Sequence, residues 1–374
     1  MRARGPATWV PALDAFVVTS RAAVVEVLRD AETFTVDDPR FSTAQVVGPS
    51  MLSRDGSDHM RHRRPFVEPF RPRRVLDRFQ TPVDAQIAAL LDEIAADTAT
   101  TVDLRPTLAA PLAASVVATS LGLDGDNPAV VARLVGWYGE IVASVAGVAA
   151  GRSVTPGGAA AMAGLATELR AVLEFAHGTA DGGCPADSVL TDSAATGELS
   201  DDEVISNAGV IMFGGIETVE GMILNVLRHV LSVPEVRDEI VADPALGAAA
   251  IEESLRLEPA AAVVDRYATR DVELGGVTIG EGSMVTVSLA GANRDPGEFH
   301  EPDRFDLHRP NVRRHLAFAT GPHVCIGMDL ARLEARRALT AFLGRFPTSR
   351  LDDDAPAATG LVFRKPARLP VALR

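Results

Sequence analysis

Phe318-Ala319-Thr320-Gly321-Pro322-His323-Val324-Cys325-Ile326-Gly327 contains no Asp, Glu, Lys or Arg. It leads straight into a periodic segment that predicts a helix from Met328 to Leu343. Near a helix start, unpaired backbone N–H groups and the positive end of the dipole favour a thiolate over a thiol at Cys325. Gly321 and Gly327 flank the sulfur. They let the backbone turn tightly and lie flat against a large group. Phe318 offers an apolar lid, and His323 a donor two residues from the sulfur. A cysteine is ordinarily a small buried hydrophobe. Glycine on both sides, Phe and His at fixed offsets and the helix start favour a ligand instead.

A thiolate among apolar residues and glycine suits an axial ligand of haem iron. The pattern Phe-x-x-Gly-x-His-x-Cys-x-Gly is similar to the haem-binding signature of the cytochrome P450 family, the haem-thiolate monooxygenases. All five specified residue types match. The resemblance implies a mainly α fold with minor β sheets around a buried haem b (iron-protoporphyrin IX), as one domain spanning residues 1–374. It makes Cys325 the metal ligand and places Phe318, His323 and Gly327 against the cofactor.

Ser200-Asp201-Asp202-Glu203 reads as a capping box opening a long helix, Glu203 to Leu231. Phe213-Gly214-Gly215-Ile216-Glu217-Thr218-Val219 interrupts its pattern. Each interior glycine costs roughly 1 kcal/mol relative to Ala. A bland reading is a close helix crossing at Gly214-Gly215 with Glu217 in a salt bridge. The functional reading is a kink that opens a groove for dioxygen. Thr218 would hydrogen-bond the oxygen, and Glu217 would relay protons from solvent. This resembles the family's acid–alcohol pair, Gly-Gly-x-Asp/Glu-Thr, with Glu in place of the commoner Asp.

Glu253-Ser254-Leu255-Arg256 puts a carboxylate and a guanidinium on one helix face. Such pairs are common on solvated helices, but here the pair resembles the family's Glu-x-x-Arg. Arg304, in Glu301-Pro302-Asp303-Arg304-Phe305, is the expected third partner of a structural ion network behind the thiolate loop. Haem propionates need cationic or donor partners. His59 and Arg63 lie one turn apart on a basic helix expected over Asp58 to Phe66. With Arg266 and His323 they match the family's propionate positions. Small apolar residues, Val47, Val210, Gly214, Ala262 and Val264, are the substrate-pocket candidates.

The net charge of -14 excludes nucleic acid as the main partner. Arg61, Arg63, Arg64, Arg71, Arg73 and Arg74 form a local basic cluster on this acidic chain. A cluster of that kind steers an acidic protein. By resemblance that partner is a ferredoxin, supplied by a separate ferredoxin reductase. Lys365 is the single lysine among 36 Lys and Arg residues. The two cysteines, Cys184 and Cys325, suit a reducing cytosol rather than a disulfide framework. No apolar targeting segment follows Met1. The uncharged run Pro106 to Leu123 reads as a buried helix rather than a membrane span, so a cytoplasmic location without membrane is expected. The chain begins close to its first strand, short of the N-terminal helices usual in the family.

The functional expectation is a monooxygenase that takes O2 and a small or medium organic substrate, in specialised metabolism. One rival is oxidative coupling of two carbons by the same oxidant. A rival of another class is a non-catalytic haem sensor or electron carrier, which needs neither Glu217 nor Thr218.

Overall fold

The computed structural model describes residues 5–178 and 188–373, and Cys184 lies outside them. Helices dominate, with three small sheets. The chain forms two compact units. The first comprises Met1–Thr35, Val83–Ala110 and Glu217–Arg374, and the second Val36–Pro82 and Pro111–Ile216.

In the first unit, the alternating N-terminal residues make a hairpin, Ala7–Val10 with Ala15–Val18. Asp14 closes it in the left-handed region at φ 49°. Ala15–Val18 then pairs in parallel with Met284–Ser288. Val263–Ala268 and Phe34–Thr35 complete a five-stranded sheet. The helix Arg21–Arg29 buries Ala23, Val24, Val27 and Leu28 against this sheet's core, with Phe34, Val285 and Val287. Ser20 stands at its N-cap without a side-chain bond. Asp295 accepts the Arg21 backbone N–H instead, at 2.8 Å.

Ahead of the uncharged run Pro106 to Leu123, Thr101–Asp103 is a strand paired with Pro370–Ala372. Pro370–Ala372 also pairs with Arg350–Leu351. Helix follows only from Arg105, as one π-helical turn before Ala110–Ser120. Isolated bridges join Ala261 to Phe363 and Thr359 to Lys365.

In the second unit the basic helix is Gly56–Val67. Helices Pro128–Ala149 and Pro156–Gly178 pack as a pair. The glycine-bearing joint between them is held by side-chain hydrogen bonds. Thr155 N–H donates to Ser144 Oγ at 3.0 Å, and Gly158 N–H to Thr155 Oγ1. A Cβ at Gly158 would lie 2.4 Å from Ser144 Cβ, so only glycine fits there.

The long helix runs Asp201–Leu231 without interruption through Gly214-Gly215. A Cβ on Gly215 would meet Val117 Cγ2 at 2.7 Å, which is the close helix crossing. Beside Gly214 lies open space. The capping box is present: Ser200 N–H donates to Glu203 Oε2 at 2.9 Å and Glu203 N–H to Ser200 Oγ at 3.4 Å. Among the described residues, two helices are long and apolar enough to cross a membrane, Pro128–Ala149 and Asp201–Leu231. Neither includes the uncharged run Pro106 to Leu123. The apolar stretch of Asp201–Leu231 is 61% buried, as in a core helix, against 22% for Pro128–Ala149.

Candidate functional site

Cys325 lies in a loop of the first unit, two residues before Gly327, the N-cap of helix Met328–Arg345. Its backbone N–H donates to Phe318 O at 2.9 Å, closing the loop on itself. Its side chain is part-buried. Gly321 takes φ +77°, and a Cβ there would stand 2.3 Å from Leu28 O. Glycine is therefore obligatory on both conformational and steric grounds. Gly327 adopts φ −89°, open to any residue, so its freedom is not what the turn uses.

Behind the loop stands a buried network. Arg256 donates to both carboxylate oxygens of Glu253, at 2.7 and 2.8 Å. Both side chains are essentially inaccessible. The expected third partner is different. Arg304 points outward to Glu301 at 3.1 Å, with 66% of its side chain exposed. Arg309 takes the place, its Nε 3.0 and 3.1 Å from the two oxygens of Glu253. Arg304 contributes only its carbonyl, which accepts from Arg256 and Arg309. A guanidinium at the end of a long loop has no fixed spacing to Glu253, so its position could not be read from sequence.

A second carboxylate ties this network to the loop. Glu252 accepts from Arg332 Nε at 2.7 Å and from Nη2 at 3.1 Å. Its Oε2 lies 3.1 Å from His315 Nε2, and His315 Nδ1 accepts from Ala317 N–H. Burial works to raise the Glu252 carboxyl, but the His315 and Arg332 contacts outweigh it and hold it down to about 2. Arg332 also lies over the Phe318 ring, 4.6 Å from its centroid. Asn293 closes the circuit: its carbonyl accepts from Arg256, and its Oδ1 accepts from Leu316 N–H at 2.6 Å. Glu334, on the same helix as Arg332, is 3% exposed, and its Oε2 has no hydrogen-bond partner among the described residues. Burial alone pushes its carboxyl well above the usual range.

The acid of the predicted acid–alcohol pair has a partner that the sequence did not suggest. Lys365 Nζ lies 2.9 Å from Glu217 Oε1 and 2.7 Å from Glu220 Oε2. Both are ion-pair contacts, set off the line of a directed hydrogen bond. Glu220 also accepts from Arg105 Nε at 2.6 Å. That contact, working against burial, raises the Arg105 guanidinium. Thr218 is part-exposed on the long helix.

Of the other candidates in this unit, Arg266 is 5% exposed on strand Val263–Ala268, and its Nη1 donates to the Asp265 carbonyl at 2.7 Å. Burial raises the Asp265 carboxyl, opposed by the Thr286 hydroxyl 2.7 Å away. Ala262 is buried and its N–H donates to Val362 O. Val264 is half-buried beside it on the sheet. His323 is part-exposed in the loop.

In the second unit, His59 is buried and its Nδ1 lies 2.9 Å from Met51 O, so Nδ1 carries the proton. Arg63, one turn on, is part-exposed. His62, which the sequence did not single out, is also buried. Its Nδ1 accepts from Asn207 Nδ2 at 2.9 Å, while Asn207 Oδ1 accepts from Met51 N–H. Burial, then the Arg61 charge, lowers the His62 ring. Val47 packs on Gly209, whose Cβ would stand 2.8 Å from Val47 Cγ1. Val210 and Gly214 lie one turn apart, both reached by solvent.

Within the basic cluster, Arg61 is engaged by Glu203 and Arg64 by Glu198, each at 2.6 Å. Arg64 still has 72% of its side chain exposed, and Arg71, Arg73 and Arg74 have 64%, 93% and 61%. Their pairs with Glu68 and Asp77 are surface pairs of small energy.

The donor set fits haem. Among the described residues no group of three His, Cys, Asp or Glu could hold a metal ion. The free, part-buried Cys325 would offer the single thiolate that haem iron accepts from a protein. The Cytochrome P450 family model matches residues 245–368. Cytochrome P450 107B1 of Saccharopolyspora erythraea is 32% identical over 384 residues, covering 97% of this chain and 90% of that protein. The chain belongs to the cytochrome P450 family. Its cofactor is that family's haem, and its fold is the P450 fold. A Streptomyces fradiae protein, 20-oxo-5-O-mycaminosyltylactone 23-monooxygenase, is 33% identical over 307 residues, 82% of this chain and 69% of that one. The solved structure of a post-tailoring hydroxylase involved in himastatin biosynthesis superposes with a TM-score of 0.83, at 30% identity. It covers 99% of this P450 chain and 94% of that chain. Mycobacterial P450 relatives align at 40% identity over 176 residues, so this chain spans 40% of their length.

Proposed function

We propose that the chain is a haem-thiolate monooxygenase. It inserts one oxygen atom from O2 into an unactivated C–H bond of a small or medium apolar organic molecule of specialised metabolism. The observation that carries this reading is Cys325, a part-buried sulfur on a loop braced by two buried carboxylate–guanidinium networks. When bound, haem with a thiolate ligand supplies the activation of oxygen.

The chain's residues do the rest. Cys325 would hold the iron, with Phe318 and Gly327 against the cofactor. His59 and Arg63, and likewise Arg266 and His323, would each serve as donors to its propionates. The Glu217 carboxylate takes protons from solvent, and the Thr218 hydroxyl passes them inward. Val47, Val210, Gly214, Ala262 and Val264 line the substrate site with small apolar surface. Electrons come from a ferredoxin and its reductase through the exposed Arg71, Arg73 and Arg74, in the cytoplasm. The names of the Streptomyces fradiae monooxygenase and the himastatin hydroxylase support a natural product as substrate.

A reduced, carbon-monoxide-bound absorption spectrum with the red-shifted thiolate Soret band tests the site. A conventional Soret position ends the reading. Substrate is then sought by spectral shift, and Thr218→Ala is expected to consume oxygen without matching product. Fully coupled turnover in that variant removes Thr218 from its role.

A further inference from the structure

The chain's cations are arginine everywhere except Lys365, and that residue sits between two carboxylates one turn apart on the long helix. Its placement is built. The segment before it docks on the helix face that also carries Glu217 and Glu220. Asn225 Nδ2 donates to Arg364 O at 2.9 Å and to Glu258 O at 3.1 Å. Arg364 N–H donates to Ala260 O at 2.9 Å. Gly221, four residues after Glu217, is the gap that admits the segment: a Cβ there would lie 3.1 Å from Ala260 Cβ and 3.5 Å from Lys365 Cβ. The Thr359–Lys365 bridge closes the loop behind the amine.

The side chain suits the task better than the arginine used elsewhere. A guanidinium forks onto one carboxylate in a plane, whereas an ammonium is a compact charge that two carboxylates can share. Glu220 has a second cation, Arg105, and Glu217 shares Lys365 with it. Only 11% of the lysine side chain is exposed, so water screens the contact weakly.

We infer that Lys365 is the positioning residue of the proton relay. It holds the Glu217 carboxylate against the docked C-terminal segment, in the orientation from which protons are passed to Thr218. This rests on the proposed relay role of Glu217. Glu220 and Arg105 fix the other side of the ammonium, so that the amine cannot follow Glu217 away from the helix. Lys365 touches neither substrate nor cofactor in this account, and it acts through Glu217.

The single lysine makes the test direct. In the purified holoenzyme, acylation by an amine-selective reagent is followed by peptide mass spectrometry. Glu217→Gln is expected to speed modification of Lys365 by several-fold, because the amine loses one of its two counter-charges. In turnover, Lys365→Met is expected to raise the solvent deuterium isotope effect and to lower product per oxygen on the order of tenfold. Lys365→Arg is expected to recover part of that loss. The carbon-monoxide spectrum of both variants stays that of the parent, which separates a relay defect from misfolding. If Glu217→Gln impairs turnover but Lys365→Met does not, the relay stands and the positioning role is overturned. If Glu217→Gln leaves turnover and isotope effect unchanged, the relay reading itself fails. Lys365 reactivity that ignores Glu217→Gln also overturns the positioning role.

Discussion

The guanidinium of Arg332 lies 4.6 Å from the centre of the Phe318 ring while its Nε donates to Glu252. One side chain thus joins a helix to the first residue of the thiolate loop and to the buried acid beneath it. The loop's shape depends on a part-exposed cation and the buried acid that holds it.

Arg309 and Arg304 should separate cleanly. Arg309→Ala leaves Glu253 buried with one cation fewer, and removing one partner of a buried pair costs on the order of 3–5 kcal/mol. Arg304→Ala removes only an exposed side chain and is expected within about 0.5 kcal/mol of the parent. Thermal unfolding and haem content measure both. Equal losses in the two variants would return the structural role to Arg304.

Two carboxyls give opposite pH signatures. Glu252, held down to about 2, adds stability that is complete above the unfolded-state value, near 4.5. That stability is lost as pH falls from there through about 2, and amounts to ~3 kcal/mol. Glu334 is raised by burial. Its folded form prefers the proton, so stability declines as pH rises above the unfolded-state value. Glu252→Gln should flatten the acid side of the stability–pH curve. Glu334→Gln should raise stability at neutral pH. Denaturant titrations at several pH values decide both, and an acid limb surviving in Glu252→Gln would assign it to other carboxylates.

Gly321→Ala should be among the most damaging single changes available. It adds both left-handed backbone strain and a methyl against the Leu28 carbonyl, with an expected cost of roughly 2–4 kcal/mol. A variant that keeps its haem and its melting temperature would show that the loop can shift away from helix Arg21–Arg29. Gly327→Ala is the control, since φ there is ordinary.

Arg73→Glu with Arg74→Glu should slow ferredoxin-supported turnover, most at low ionic strength, because exposed charges steer encounter and salt screens them. Substrate affinity, read from the spectral shift, should not move. Rates that match the parent at low salt would place the electron entry elsewhere.

What the sequence disclosed follows from reach. Glu253 and Arg256 sit three apart on one helix, and Ser200 and Glu203 form a local cap, so spacing alone announces them. Arg309 and Lys365 are held by partners 56 and 145 to 148 residues distant, and no local pattern marks them. Thr101–Asp103 is a strand only because Pro370–Ala372 lies beside it. Three residues carry no period of their own. Gly214-Gly215 looked like an interruption because composition records the cost of glycine and not the neighbour, Val117, that requires it.

The parallel pairing of Ala15 with Met284 also sets a schedule for synthesis. The hairpin that ends at Val18 leaves the ribosome with one edge bare. At roughly 5–20 residues per second, the strand that covers it follows about 15 to 50 seconds later. Until then the open backbone of Ala15–Val18 can pair with any other extended chain. For this protein, expression should respond to slower translation or holdase chaperones through that N-terminal edge, well before any cofactor is offered a place to bind.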